Sequence, residues 1–227
     1  MNEGETMTTS QLRRGLGVRL PILAAAALLA GGCASGQPAA PASPPVTPSA
    51  TAPSATAEST TDDGAADAEG ALAAPQGASN AFTYNPALAP EGAQIEADVD
   101  HRAGVTEVQL DVDGLLPNRG YAAHAHVNAC GPTGDAAGPH FQNQVDPAAA
   151  PGKPSTDPAY ANPQNEIWLD LRTDGDGAGE ARAEVPFAFT DRAPASIVIH
   201  EAETTGTTPG QAGTAGARLA CITVPFR

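Results

Sequence analysis

Five histidines occur in this 227-residue chain, and four of them stand where they could share a metal ion. His124 and His126 lie one residue apart in Tyr-Ala-Ala-His-Ala-His. In a strand, residues i and i+2 point to the same face, so both imidazoles can reach one ion. On its own such a pair fits a solvated surface, or two hydrogen-bonded histidines, equally well. His140 follows in Gly-Pro-His-Phe, and His200 ends the apolar run Ser-Ile-Val-Ile-His. Neutral imidazoles are ligands for first-row transition metals, and a four-nitrogen tetragonal set suits Cu(II). The fifth, His101, adjoins Arg102 at a turn and reads as a solvated surface residue.

Two cysteines, Cys130 and Cys221, share this half of the chain. In an oxidising compartment they are expected to pair. In a reducing one they could serve as thiolate ligands instead. A bridge between them would be worth about 4–5 kcal/mol by loop entropy.

Short strands must position these groups. Alternating or apolar segments bounded by Gly, Pro, Asn and Asp recur at Ala81–Tyr84, Ala93–His101, Val105–Val112, Tyr121–Val127, Glu166–Arg172, Gly179–Phe189, Ser196–His200 and Leu219–Val224. In Val105–Val112, Val108, Leu110 and Val112 share one face, and Glu107, Gln109 and Asp111 the other. No stretch carries a 3.6-residue period. The fold class expected is all-β, an eight-stranded Greek-key barrel or sandwich with long loops. Residues 128–165 have little strand character, and a loop that long in a compact domain is usually functional or disordered.

The rest of the chain reads as extensions. Residues 1–33 resemble a bacterial lipoprotein signal: Arg13, Arg14 and Arg19, then the apolar run Leu20–Ala30, then small residues leading to Cys33. The run is too short to span a bilayer as a helix. Residues 34–80 are dominated by Ala, Pro, Ser, Thr and Gly, and are expected to be a disordered linker. Residues 81–227 are then the folded domain. With 24 Gly and 22 Pro, no heptad and no Gly-X-Y period, coiled coil, helical bundle and collagen are excluded. A formal charge of −15, with Lys153 the single lysine, excludes a phosphate-backbone partner and hence nucleic acid.

In order along the chain, the His-x-His strand, the Gly-Pro-His-Phe loop, the strand ending in His200 and Gly-Ala-Arg-Leu-Ala-Cys (216–221) resemble the copper/zinc superoxide dismutase family. The resemblance covers nearly all of residues 81–227. It implies copper ligands at His124, His126, His140 and His200, and a structural disulfide between Cys130 and Cys221. It implies that Arg218 attracts the substrate anion, superoxide. The reaction implied is 2 O₂⁻ + 2 H⁺ → O₂ + H₂O₂, with His140 carrying one proton.

Two departures bear on zinc. Residues 141–165 contain no histidine, and Asp146 and Asp157 alone cannot complete a tetrahedral zinc site. The loop from Thr204 to Ala217 has no acid and is short, so the family's carboxylate link between metals looks absent and the copper looks open to solvent. The pattern resembles the copper-only members of the family, and zinc is not expected. Metal-ligating histidines usually donate their other N–H to a carboxylate or carbonyl. Glu166 is the residue expected to do this for His140. The expected protein is an exported enzyme anchored through a lipid on Cys33 to the outer face of the cell membrane, or secreted, and monomeric or homodimeric. The alternative is copper binding without turnover on the same fold.

Overall fold

The computed structural model describes residues 64–227. The signal-like segment, Cys33 and residues 34–63 of the expected linker lie outside the described residues. Ten strands follow in order: β1 (Ala65–Ala71), β2 (Ala81–Thr83), β3 (Gln94–Arg102), β4 (Val105–Asp113), β5 (Gly120–Tyr121), β6 (Ala123–His126), β7 (Leu171–Arg172), β8 (Gly179–Val185), β9 (Ser196–His200) and β10 (Arg218–Thr223). Helical structure among the described residues is confined to a 3-10 turn at Gly134–Ala137.

The strands form two four-stranded sheets, ordered β1-β3-β4-β8 and β2-β10-β9-β6, and a small β5-β7 pair. The fold is thus an all-β sandwich, and its sheets do not close into a barrel. Alternation explains the core between them. Ile95, Ala97 and Val99 of β3 and Val108, Leu110 and Val112 of β4 are buried and meet Ala123, Ala125, Ile197, Ile199 and Ile222 of the facing sheet. The opposite face of β6, β9 and β10 carries His124, His126, Val198, His200 and Cys221. Val198 and Cys221 belong to a smaller cluster with Ala137. The long loops cover this second face.

Three expectations change. The strand set begins before residue 81: β1 runs antiparallel to β3 from Ala65↔Asp100 to Ala71↔Gln94, and Leu72 is buried in the main core. Ala66 and Ala68 pack on that core from an edge strand whose other positions are acids or small residues. Backbone pairing with β3 holds such a strand, so its composition gives no local signal. The segment Glu166–Arg172 is a regular strand only at Leu171–Arg172. Residues 167–169 instead lie along β6 through single contacts, Ala125 N–H to Ile167 O (3.1 Å) and Leu169 N–H to Ala123 O (2.7 Å). Finally, His101 is not a solvated surface group. It is half-buried, its ring nitrogens within 3.1 Å of Thr106 Oγ1 and 2.9 Å of Phe226 O, edge-on to Phe189. It ties the β3–β4 hairpin to the last residues of the chain.

Candidate metal centre

The free edge of β6 explains how four histidines meet. One edge pairs with β9, setting His124 opposite Val198 and His126 opposite Ser196. The other edge is shared by two loop segments. Residues 139–141 take the His126 end, where Val127 N–H donates to Pro139 O (3.1 Å) and Phe141 N–H to Ala125 O (2.9 Å). This sets His140 directly across from His126. Residues 167–169 take the other end, with Trp168 across from His124. His200 enters from the end of β9. The ligand atoms of His124, His126, His140 and His200 all lie within 4.8 Å of one another.

Three of the rings are oriented through one nitrogen by partners outside the cluster, while the buried Nδ1 of His200 has no hydrogen-bond partner among the described residues. His126 Nδ1 donates to Gly138 O at 2.9 Å, so its Nε2 carries a lone pair. That Nε2 faces His200 Nε2 at 3.2 Å. His140 Nδ1 donates to the buried carboxylate of Glu166 at 3.0 Å, which leaves Nε2 free to bind. Glu166 also accepts from Trp168 Nε1 (2.7 Å) and from Gln142 Nε2 (2.8 Å), so three donors fix it. His124 Nε2 lies 2.7 Å from Thr205 Oγ1, and its buried Nδ1 has no hydrogen-bond partner among the described residues.

Burial sets the charge of the cluster. It pushes His124 and His126 well below the ordinary histidine value of 6.5, helped by the neighbouring rings. It brings His200 down to about 3, with His140 adding to the effect. These three rings are neutral at neutral pH, the form a metal requires. Several lone pairs then converge in a buried space with an orphaned nitrogen among them, which is unfavourable without a cation. The donor set therefore fits a metal ion held by four imidazoles.

Arg218 sits beside the cluster. The ladder with β9 slips register between Arg218 and Ala220, and such a bulge re-aims the residue next to it. The Arg218 guanidinium donates to Gly134 O and Gly138 O, each at 2.6 Å. Gly138 O thus serves Arg218 and His126 together. Gly138 has φ +72°, and a Cβ there would come within 2.7 Å of Val127 and Asn128, so only glycine fits. Cys130 and Cys221 form a disulfide, with Cα atoms 5.8 Å apart, which pins the start of this loop to β10.

The structure brings His124, His126, His140, His200, Glu166 and Arg218 to one place and pairs Cys130 with Cys221. Asp146 and Asp157 cap turns instead: Asp146 accepts from Ser155 Oγ and Ala148 N, and Asp157 from Ala159 N. The short loop after β9 does not leave the ligands open. His124 and His126 are fully buried, His200 is 3% exposed, and His140 alone is partly open. A carboxylate does approach that loop, but from another element. Asp170 accepts from Thr205 through Oδ1 (2.6 Å) and Oδ2 (2.6 Å). Asp170, Thr205, Trp168 and Gln142 are site residues that motif reading missed. Period-two alternation in Glu-Ile-Trp-Leu-Asp-Leu could have found two of them: Glu166, Trp168 and Asp170 share the site face, while Ile167, Leu169 and Leu171 enter the core.

No protein-family model and no curated protein matches the chain. Among solved structures, a similar one is a double mutant of a SOD-like protein from Bacillus subtilis. It is 16% identical, covers 56% of this chain and 87% of its own, and has a TM-score of 0.41.

Proposed function

We propose that this chain is a copper-dependent superoxide dismutase acting outside the cytoplasm, held by a lipid on Cys33 or secreted, and working without zinc. The observation that carries the reading is the convergence of four imidazoles, three of them oriented by partners outside the cluster, with a guanidinium alongside. Bound there by His124, His126, His140 and His200, copper would supply one-electron exchange with the substrate.

The chain's own residues supply the rest. His140 is the one partly exposed ligand, so its Nε2 is the atom able to exchange a proton with solvent. Glu166 holds its Nδ1–H and keeps the ring aimed, doing the work a second metal would do on that nitrogen. Arg218 carries a fixed positive charge toward which an anion is drawn. The disulfide and the loop it anchors keep Arg218 and His126 on one carbonyl.

The test is the dismutation rate of residues 64–227, oxidised, with one copper and no zinc, by pulse radiolysis. A rate approaching ~10⁹ M⁻¹s⁻¹, lost in His140→Ala, is expected. A second reading, copper binding without turnover, rests on one observation: the Arg218 donors are already engaged with two carbonyls. Tight copper binding with a rate no better than free copper would establish that reading instead.

A further inference from the structure

Thr205 offers a device that neither its sequence context nor the ligand set announces. Its hydroxyl lies between His124 Nε2 (2.7 Å) and Asp170 Oδ1 (2.6 Å). A carboxylate oxygen only accepts, so the single hydroxyl hydrogen goes to Asp170. Thr205 Oγ1 must then accept from His124, and the imidazole hydrogen sits on Nε2. The direct His124–Asp170 separation is 4.0 Å, too long for a hydrogen bond. The hydroxyl is therefore the only link between them. Asp170 is held in turn by Thr205 N–H at 2.6 Å and, more loosely, by Ala123 N–H at 3.3 Å.

We propose that Thr205 is a positioning residue, a hydroxyl relay from Asp170 that fixes the His124 tautomer with Nδ1 free. Its role as a ligand positioner rests on reading the four histidines as a metal centre; its control of the tautomer does not. Because Thr205 belongs to the loop after β9, the relay also makes one ligand depend on how that loop is closed. The loop is pinned at the same place by Gly206 N–H to Thr214 O and Gly213 N–H to Gly206 O, each at 2.9 Å.

Three substitutions separate the relay from mere packing. Thr205→Val keeps the shape and removes the hydroxyl. Thr205→Ser restores it. Asp170→Asn carries a sharper sign. An amide nitrogen is tolerated least against Thr205 N–H, so the NH₂ turns toward the hydroxyl, which can rotate. The hydroxyl then donates to His124 Nε2, and the ring hydrogen moves to Nδ1.

The measurement is the histidine ¹⁵N shifts of the metal-free full chain at neutral pH, with its amide spectrum as the check of folding. Wild type and Thr205→Ser should show His124 protonated at Nε2, Thr205→Val a mixture, and Asp170→Asn the Nδ1 form. His126 and His140 should not change. Copper affinity by competition should fall about 10–100-fold in Thr205→Val and Asp170→Asn and recover in Thr205→Ser. An unchanged His124 tautomer in folded Thr205→Val or folded Asp170→Asn overturns the relay. Failure of the wild type to bind copper overturns the metal-centre reading, and with it the positioning role, while the tautomer result still decides the relay.

Discussion

At the residue scale, the outer nitrogens of the rings are what the surrounding chain controls, and Glu166 is where that control can be read. Three donors converge on its buried carboxylate, from His140, Trp168 and Gln142. In Glu166→Gln one donor would meet an NH₂ group and be left unpaired. We expect a 10–100-fold loss of copper affinity or activity, with an altered copper spectrum; an unchanged spectrum and rate would remove Glu166 from the site. The ligands themselves make the metal-free protein sensitive to acid. His124, His126 and His200 are held below the ordinary value of 6.5 by burial, His200 at about 3. The unfolded chain then binds more protons than the folded one in that window. Stability is full above pH 6.5 and falls as pH drops toward 3. Thermal melts of the metal-free protein between pH 7.5 and 4 should show Tm falling, and a flat profile would mean these rings are not buried and neutral.

At the scale of elements, β1 and the disulfide make separable predictions. A chain starting at residue 81 lacks β1 and Leu72, and so bares the edge of β3 to solvent and to other copies. Such a fragment should melt lower and aggregate more readily than residues 64–227; equal melting would mean β1 adds nothing. Reducing Cys130–Cys221 should lower stability by about 2–5 kcal/mol. It should also disturb His126, because the loop it anchors carries Gly138 O, which measured histidine shifts would reveal. How much could be read beforehand follows from the same physics. Strands with branched residues on one face, such as Val105–Val112, and ligands at i and i+2 announce themselves locally. The edge strand β1 does not, since it is held by backbone pairing with β3 and offers the core only small alanine side chains. Glu166 was legible as a partner of His140 because ligating rings need one. Alternation puts Asp170 on the site face, but its pairing with Thr205 was not legible, because the two meet only when the loop after β9 folds back on residues 166–172.

At the scale of the whole molecule, the sign of the charge opposes the proposed substrate. The chain carries a formal −15, and the outer face of the β1-β3-β4-β8 sheet contributes a row of acids, Glu69, Glu96, Asp111 and Glu180, across all four strands. An anion approaching from a distance meets a negative body. Screening limits how far that matters, since the Debye length at physiological salt is about 8 Å. Arg218 lies on the opposite sheet, beside the ligands, and its charge acts inside that distance. If it governs approach, the wild-type rate should fall as salt rises despite the net charge. Arg218→Glu should slow the second-order rate by about tenfold or more. It should also invert the salt dependence, because added ions would then screen a repulsion. Copper should remain bound, since none of the four ligands is replaced and His126 has its own hydrogen bond to Gly138 O. A wild-type rate that rises with salt would mean the global charge, not Arg218, sets the encounter, and the guanidinium would be left with the one role its hydrogen bonds already show, holding Gly134 and Gly138 in place.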